Sequence, residues 1–389
     1  MKLNSNIAKF YAFQFLGQLL FIIPIIVLFW QANGLSLTKI MILQSLFAIS
    51  IVFWELPTGV FADKFGRKKS LVLGAFFLAA GLLVYSLGFT FWQFFAAEFI
   101  WAIGLCFISG ADSAFIYDTL KQTKKEKNFK KVWGNATSFS LAAAAIGAII
   151  GGFIATYSLR VGWYLSTISM IFLFFVALTF KEPKHYRRVK RQNYWEHTLE
   201  SFRESFMNKN LLFVLLFSSL LSVVSKISLW FYQPYMQQSG LPLFYFGIVW
   251  ASFSIFAIGG SKYAYNIERI LGEKGSLWLM VALMVLSLIF MSYWFVIFGF
   301  AFIFIQQIVR GFSEPVLQDY SHNHISDSRK RATLLSIQSL AGSLVFAITG
   351  PFYGYIADKY SLSNALLFTA VSFLIAFTLL MFWNAKRKR

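Results

Sequence analysis

The sequence predicts an all-α membrane protein, with twelve transmembrane helices in two pseudo-symmetric six-helix bundles. Three observations carry that prediction. The 389-residue chain is 58% hydrophobic and 20% aromatic but only 13% charged, roughly half the charged share of a soluble domain. Apolar runs close to the ~20 residues needed to cross the hydrocarbon recur along the whole chain. The cationic residues gather in every second loop.

The apolar runs place spans at 9–31, 38–61, 70–88, 92–119, 132–157, 162–180, 210–237, 242–264, 276–291, 294–318, 332–357 and 361–383. The first, Phe10 to Trp30, follows a short basic start as a signal peptide would. It is longer than the usual ~7–15-residue signal core, so it reads as a span. Gly88 to Phe91 and Ser292 to Tyr293 barely make turns, which makes the helices beside them antiparallel neighbours. The longest polar stretch begins at Lys181-Glu182-Pro183, where the proline stops a helix. It then alternates acids with Trp195, Leu199, Phe202 and Phe206, the pattern of an amphipathic surface helix. It divides the chain into a bundle at 1–180, a basic cytoplasmic linker at 181–209 and a bundle at 210–389, the layout of an internal repeat.

Counted from a cytoplasmic N-terminus, the inner segments hold 30 of the 35 Lys and Arg. Lys39, Arg160 and Lys359 fall outside, and Lys226 and Arg310 lie within spans. This is the positive-inside pattern, and it puts both termini in the cytoplasm of a multi-pass plasma (inner) membrane protein. The net charge of +19 therefore reflects topology. It forms no folded basic face, so nucleic-acid binding is excluded. The single cysteine, Cys106, rules out a disulfide framework within the chain. Trp30, Trp92, Trp163 and Trp294 fall near outer span ends, where interface anchors sit.

Between spans two and three runs Gly59-Val-Phe-Ala-Asp63-Lys64-Phe-Gly66-Arg67-Lys68-Lys69. A basic inner loop needs no such Gly, Asp and Gly spacing. The segment resembles the signature loop of the major facilitator superfamily at every consensus position. A degenerate copy follows span eight as Ala264-Tyr-Asn-Ile-Glu268-Arg269-Ile-Leu-Gly272-Glu273-Lys274, and Gly354-Tyr-Ile-Ala-Asp358-Lys359 echoes its first half on the outer side. Glycine at 59 permits close helix approach, and at 66 a tight turn. The resemblance implies a latch between two halves. Asp63 would face the N-terminus of span eleven near Ala332 and Thr333, and Arg67 would pair with Asp118 at the inner end of span four. Glu55, two turns before Asp63, is assigned to the same latch, with Lys64 and Lys68. The chain departs from the family's drug exporters in two places. Ile100 stands four residues before Gly104 where many carry Arg, and span five has Gly147-x-x-x-Gly151-Gly152 without a Gly-Pro pair.

Ionisable groups within spans are costly and mark function by default. The family architecture implies that spans one, four, seven and ten line the cavity. They carry Gln14 and Gln18; Glu98 and Asp112; Ser222 and Lys226; and Gln306, Arg310, Glu314 and Gln318. On one continuous helix Glu98 and Asp112 would lie within about 40° of one face, roughly 21 Å apart. Asp112, Glu98 and Glu314 are the candidate proton carriers, since a carboxylate facing a low-dielectric cavity exchanges protons nearer neutral pH. Asp112 has a plain alternative in a hydrogen bond to Ser109. Arg310 and Glu314 either neutralise each other or face substrate.

No phosphate-binding loop and no hydrolase constellation is present, so neither ATP-driven pumping nor enzyme activity is expected. We expect a monomer in the lipid bilayer, with a small-molecule substrate and protons as partners and without cofactor or metal. The resemblance implies proton-coupled export of lipophilic or amphipathic compounds by alternating access. Lys226 and Arg310 offer a second reading, proton symport of a small anionic or zwitterionic nutrient.

Overall fold

The computed structural model describes residues 3–183, 208–323 and 331–387; the side chains of 322–323, 331–340 and 387 stand outside that description. The amphipathic segment expected within 181–209 therefore lies mostly outside the described residues. The described chain is helical: α1 (Ser5–Gln18), α2 (Ile26–Ala32), α3 (Leu37–Phe65), α4 (Arg67–Leu87), α5 (Phe91–Ile108), α6 (Ala111–Gln122), α7 (Phe129–Ala155), α8 (Val161–Thr179), α9 (Lys209–Gln238), α10 (Leu243–Tyr293), α11 (Phe300–Asn323), α12 (Arg331–Lys359) and α13 (Leu362–Arg387). Among the described residues, nine helical segments are long and apolar enough to cross a membrane, taking α1 with α2 and α5 with α6 as single segments. With exposed apolar side chains on helix after helix, from Phe53 and Phe76 to Ile348 and Leu379, this is an integral membrane protein.

Two apolar runs break where the sequence reading expected continuity, and a third starts late. The first stops at Gln18, passes through a short 3-10 turn at Ile23–Ile25 holding Pro24, and resumes as α2. Proline lacks the N–H a helix interior needs. The fourth breaks between Ile108 and Ala111, where Gly110 takes φ +70°. The shared face computed for Glu98 and Asp112 assumed one helix, and that assumption fails here. The tenth begins at Phe300 rather than at 294, so the Ser292–Tyr293 turn lengthens into a loop reaching Gly299. Conversely, α10 runs through two expected spans for 51 residues, turning at Gly272 with φ +66°.

The helices sort into two compact units, each considered by itself. The first holds the described parts of Met1–Leu35, Leu46–Arg188 and Pro242–Ala251; the second holds those of Ser36–Ser45, Val189–Leu241 and Ser252–Arg389. In the first, α4 packs on α5 and α8, and α1 on α7. Small residues make these approaches possible. A Cβ on Gly104 would lie 2.8 Å from the Leu78 backbone nitrogen and 2.9 Å from the Gly74 carbonyl. Gly147 and Gly151 of α7 seat against the backbone of Leu20 and Phe21, at the break before α2, and Gly152 against Gly247. This is the close packing expected of small residues at helix contacts.

Trp30 and Trp163 are fully buried, not interface anchors. Trp163 stacks on Tyr85 at 4.3 Å and meets Phe29 at 4.9 Å, while Trp92 and Trp294 stay exposed. Arg160 closes this end of the unit. Its guanidinium donates to the Ser86 and Gly88 carbonyls at 2.8 and 2.9 Å and to Asn33 Oδ1 at 2.8 Å, and lies over the Phe89 ring. In the second unit α9 is the central element, packed on α11, α12 and α13.

Candidate functional site

The second unit contains a pocket of about 460 Å³ lined by α9 and α11. From α9 come Ser218, Ser222, Ser225, Lys226 and Tyr232; from α11 come Gln306, Gln307, Arg310, Glu314 and Gln318. Spans seven and ten thus bring together all the cavity residues expected of them. Lys226 Nζ donates to Ser343 Oγ of α12 at 2.9 Å, so this ammonium has a neutral partner. Tyr232 Oη donates to Gln306 Oε1 at 2.8 Å and accepts from Gln307 Nε2 at 3.4 Å. Gln307 Oε1 and Ser218 Oγ are buried without a hydrogen-bond partner among the described residues.

Arg310 and Glu314 stand four apart on α11, yet their side chains form no ion pair, and among the described residues the Arg310 guanidinium makes no hydrogen bond or ion pair, with the Tyr232 hydroxyl the group it acts on electrostatically. The neutralising reading is thus unmet in this structure. The pocket presents two cations and one carboxylate, ringed by amides and hydroxyls. Such a site can hold a carboxylate or phosphate by charge-assisted hydrogen bonds, with Glu314 left to accept from an ammonium.

The polar groups of spans one and four lie in the first unit. Gln14 Nε2 donates to Asp112 Oδ2 at 3.2 Å, and Ser140 Oγ reaches both the Gln14 carbonyl and Gln14 Oε1 at 3.3 Å. Asp112 Oδ1 accepts from the Ser113 backbone at 2.6 Å. The alternative bond to Ser109 is not made: Gly110, at φ +70°, ends the helix between the two residues, and Asp112 lies in the first turn of α6. Gln18 is exposed and outside this network. Glu98 is only 6% exposed, in the tightly packed α4–α5 region beside Tyr85.

The signature loop is ordered by a residue to which the sequence reading gave no role. Glu182, exposed at the end of α8, accepts from the backbone N–H groups of Arg67 at 2.8 Å and Lys68 at 3.0 Å. These are orphan donors of the first turn of α4. Gly66 takes φ +105°, and a Cβ there would lie 2.9 Å from the Glu182 carboxyl. Its counterpart in the degenerate copy, Gly272, is also left-handed. Arg67 pairs with Asp63 at 2.9 Å, not with Asp118. Asp63 lies in the last turn of α3 and Arg67 opens α4, so the pair spans the non-helical Gly66 turn. Asp118 is half-buried. The facing of Asp63 on Ala332 and Thr333 falls on side chains outside the description. Gly59 meets nothing within 4 Å among the described residues, so the close approach expected there is not made. Lys64 is exposed beside the Phe65 ring, and Glu55, also exposed, lies near Cys106.

Residues 10–333 match the family model of the Major Facilitator Superfamily. The chain belongs to the major facilitator superfamily. It is a transporter, not an enzyme. Among superfamily relatives, it is 28% identical to multidrug resistance protein 2 of Bacillus subtilis over 51% of this chain, about half (47%) of that relative's length. It is 21% identical to the class H tetracycline resistance protein of Pasteurella multocida, over 92% of this chain and 90% of that one. The crystal structure of the nucleoside transporter NupG superposes with a TM-score of 0.80 at 16% identity, covering 98% of each chain. This last likeness concerns the superfamily fold alone.

Tyr232, Gln307, Ser343, Ser140 and Glu182 were not singled out from the sequence. The i, i+4 stripe on span ten selects Gln306 but passes over its neighbour Gln307. Ser140 and Ser343 are among many serines in apolar runs, and only the fold tells which of them meet Gln14 or Lys226.

Proposed function

We propose that the chain is a proton-coupled secondary transporter of twelve spans that exports amphipathic small molecules by alternating access. The α9–α11 pocket holds the polar end of the substrate. One observation carries this reading: among the described residues Arg310 has no acidic partner in the polar pocket it shares with Lys226, Tyr232 and Glu314. An arginine retained at membrane depth without a counter-ion is costly, and a substrate anion is the partner it lacks. The resistance proteins among the relatives support the export direction. Asp112, tied to α1 and α7 through Gln14, is the proton carrier, with Glu98 and Glu314 as further candidates. The signature loop, from Gly59 to Lys68 with Asp118 and Glu55, is the conformational latch, and both termini are cytoplasmic.

A second reading is proton symport of a small anionic or zwitterionic nutrient, and Lys226 and Arg310 favour it equally. Everted vesicles energised to an acidic lumen separate the two. A panel of amphipathic cations, anions and zwitterions is added while a pH-sensitive dye is followed. Under export, zwitterions and anions collapse the gradient in parent vesicles and fail to do so with Asp112→Asn or Arg310→Gln. Collapse by cations alone, unchanged in Arg310→Gln, would remove the pocket from the substrate path. Uptake of a labelled anion by intact cells that depends on the inward proton gradient would select symport.

A further inference from the structure

We propose that Asp358 is a positioning residue of the transport cycle: it holds the N-terminal end of α3 within the second unit, and that end must be released for the cycle to turn. Asp358 is the last acidic residue of α12. Its Oδ1 accepts from the Leu37 backbone N–H at 2.9 Å, and its Oδ2 from the Thr38 N–H at 2.7 Å and from the Thr38 hydroxyl. The first N–H groups of a helix have no intrahelical acceptor, and that end carries partial positive charge. A carboxylate from another helix supplies both needs.

The backbones around this contact touch. A Cβ on Gly354, one turn before Asp358, would lie 2.8 Å from the Leu37 carbonyl oxygen and 2.9 Å from Thr38 Cα. Glycine is what lets α12 bring the carboxylate into place. The rest of α3 behaves differently: Ser36–Ser45 belongs to the second unit, while the helix from Leu46 onward belongs to the first. One continuous helix is therefore shared, and its second-unit end is fastened by Asp358. The fastening can open. Asp358 is exposed to solvent, where a helix-end carboxylate shifts an equilibrium by only a few-fold to about tenfold.

The sequence pattern agrees. Gly354-Tyr-Ile-Ala-Asp358-Lys359 repeats the glycine, alanine, aspartate and lysine of Gly59-Val-Phe-Ala-Asp63-Lys64, and each ends a 29-residue helix. In this structure the Asp358 copy is seated on a helix N-terminus, while Asp63 pairs with Arg67.

The inference rests on the alternating-access reading, but its test needs no substrate. In a Cys106→Ser background, exposed Lys39 and Tyr360 are changed to Cys and spin-labelled. The distance distribution is then measured by double electron–electron resonance in lipid nanodiscs. In the parent one short distance dominates. Asp358→Asn raises a second, longer distance three- to tenfold relative to the short one, about the worth of a helix-end carboxylate. Thr38→Val, which loses one of three bonds and keeps the backbone ones, raises it less. Simple fraying of the helix end would only broaden the short peak. An unchanged or merely broadened distribution in Asp358→Asn overturns the proposal. Should that variant fail to fold, an unchanged Thr38→Val does so. Shifted distances in a protein that moves no substrate in any vesicle would leave the role of Asp358 standing and defeat the export reading.

Discussion

Replacing Gly66 by alanine should cost about 2–4 kcal/mol of stability. At φ +105° and ψ 154° the backbone occupies a region reserved almost wholly for glycine, and an L-residue there costs about 1–3 kcal/mol. The added Cβ would sit 2.9 Å from the Glu182 carboxyl. That side chain is exposed and flexible, so it moves away rather than forcing the backbone apart. It then gives up its bonds to the Arg67 and Lys68 amides, worth about 1 kcal/mol at a solvated helix end. The assay is equilibrium unfolding of purified protein in mixed micelles, with Gly66→Ala, Glu182→Ala and the double variant compared with the parent. The carboxylate is lost in either single variant. The double variant should therefore fall within about 0.5 kcal/mol of Gly66→Ala alone, short of the sum. Full additivity, or a Gly66→Ala protein as stable as the parent, would refute the account of Glu182 as the cap of α4.

Two further substitutions probe the packing of the first unit. Arg160→Gln removes three hydrogen bonds from a charged donor and its place over Phe89; a loss of about 2–3 kcal/mol is expected in the same unfolding assay. Gly151→Val drives a side chain into the Phe21 backbone. It should abolish accumulation of folded protein, read by size-exclusion chromatography of a fluorescent fusion, whereas Gly134→Ala, with open space at its Cβ position, should accumulate as the parent does.

Much of the fold was legible because the bilayer imposes a length and a polarity on every helix. The nine long apolar helical segments found among the described residues needed no more than that. What escaped was local. Pro24 and Gly110 break two expected spans, and whether a proline or glycine kinks, breaks or merely fits depends on what packs beside it. The break at Gly110 then undoes the helical-wheel argument that joined Glu98 to Asp112. The family resemblance implied that spans seven and ten line a cavity, and the four-residue spacing of Ser222 with Lys226 and of Arg310 with Glu314 put each pair on one face of its own helix. The contacts of Gln14 with Asp112 and of Glu182 with the α4 amides join residues 98 and about 115 positions apart. No local pattern records such pairs.

Arg310 and Glu314 offer a sharper test than either alone. A surface pair at this spacing contributes about 0.3–0.5 kcal/mol to a helix, and here the two side chains make no ion pair at all. Exchanging them, as Arg310→Glu with Glu314→Arg, should therefore leave unfolding within about 0.5 kcal/mol of the parent. A neutralising pair would work in either order, so the exchange would restore whatever transport the single variants lose. A pair that contacts a substrate works only in the native order, because each charge meets its own group on the ligand. A charge-assisted hydrogen bond of ~1.5–3 kcal/mol corresponds to roughly a 10- to 150-fold rise in half-saturating concentration. Concentration dependence of gradient collapse in everted vesicles reads that rise directly. If the exchanged protein regains parental half-saturation, Arg310 is a structural counter-ion and the substrate anion must be sought at Lys226.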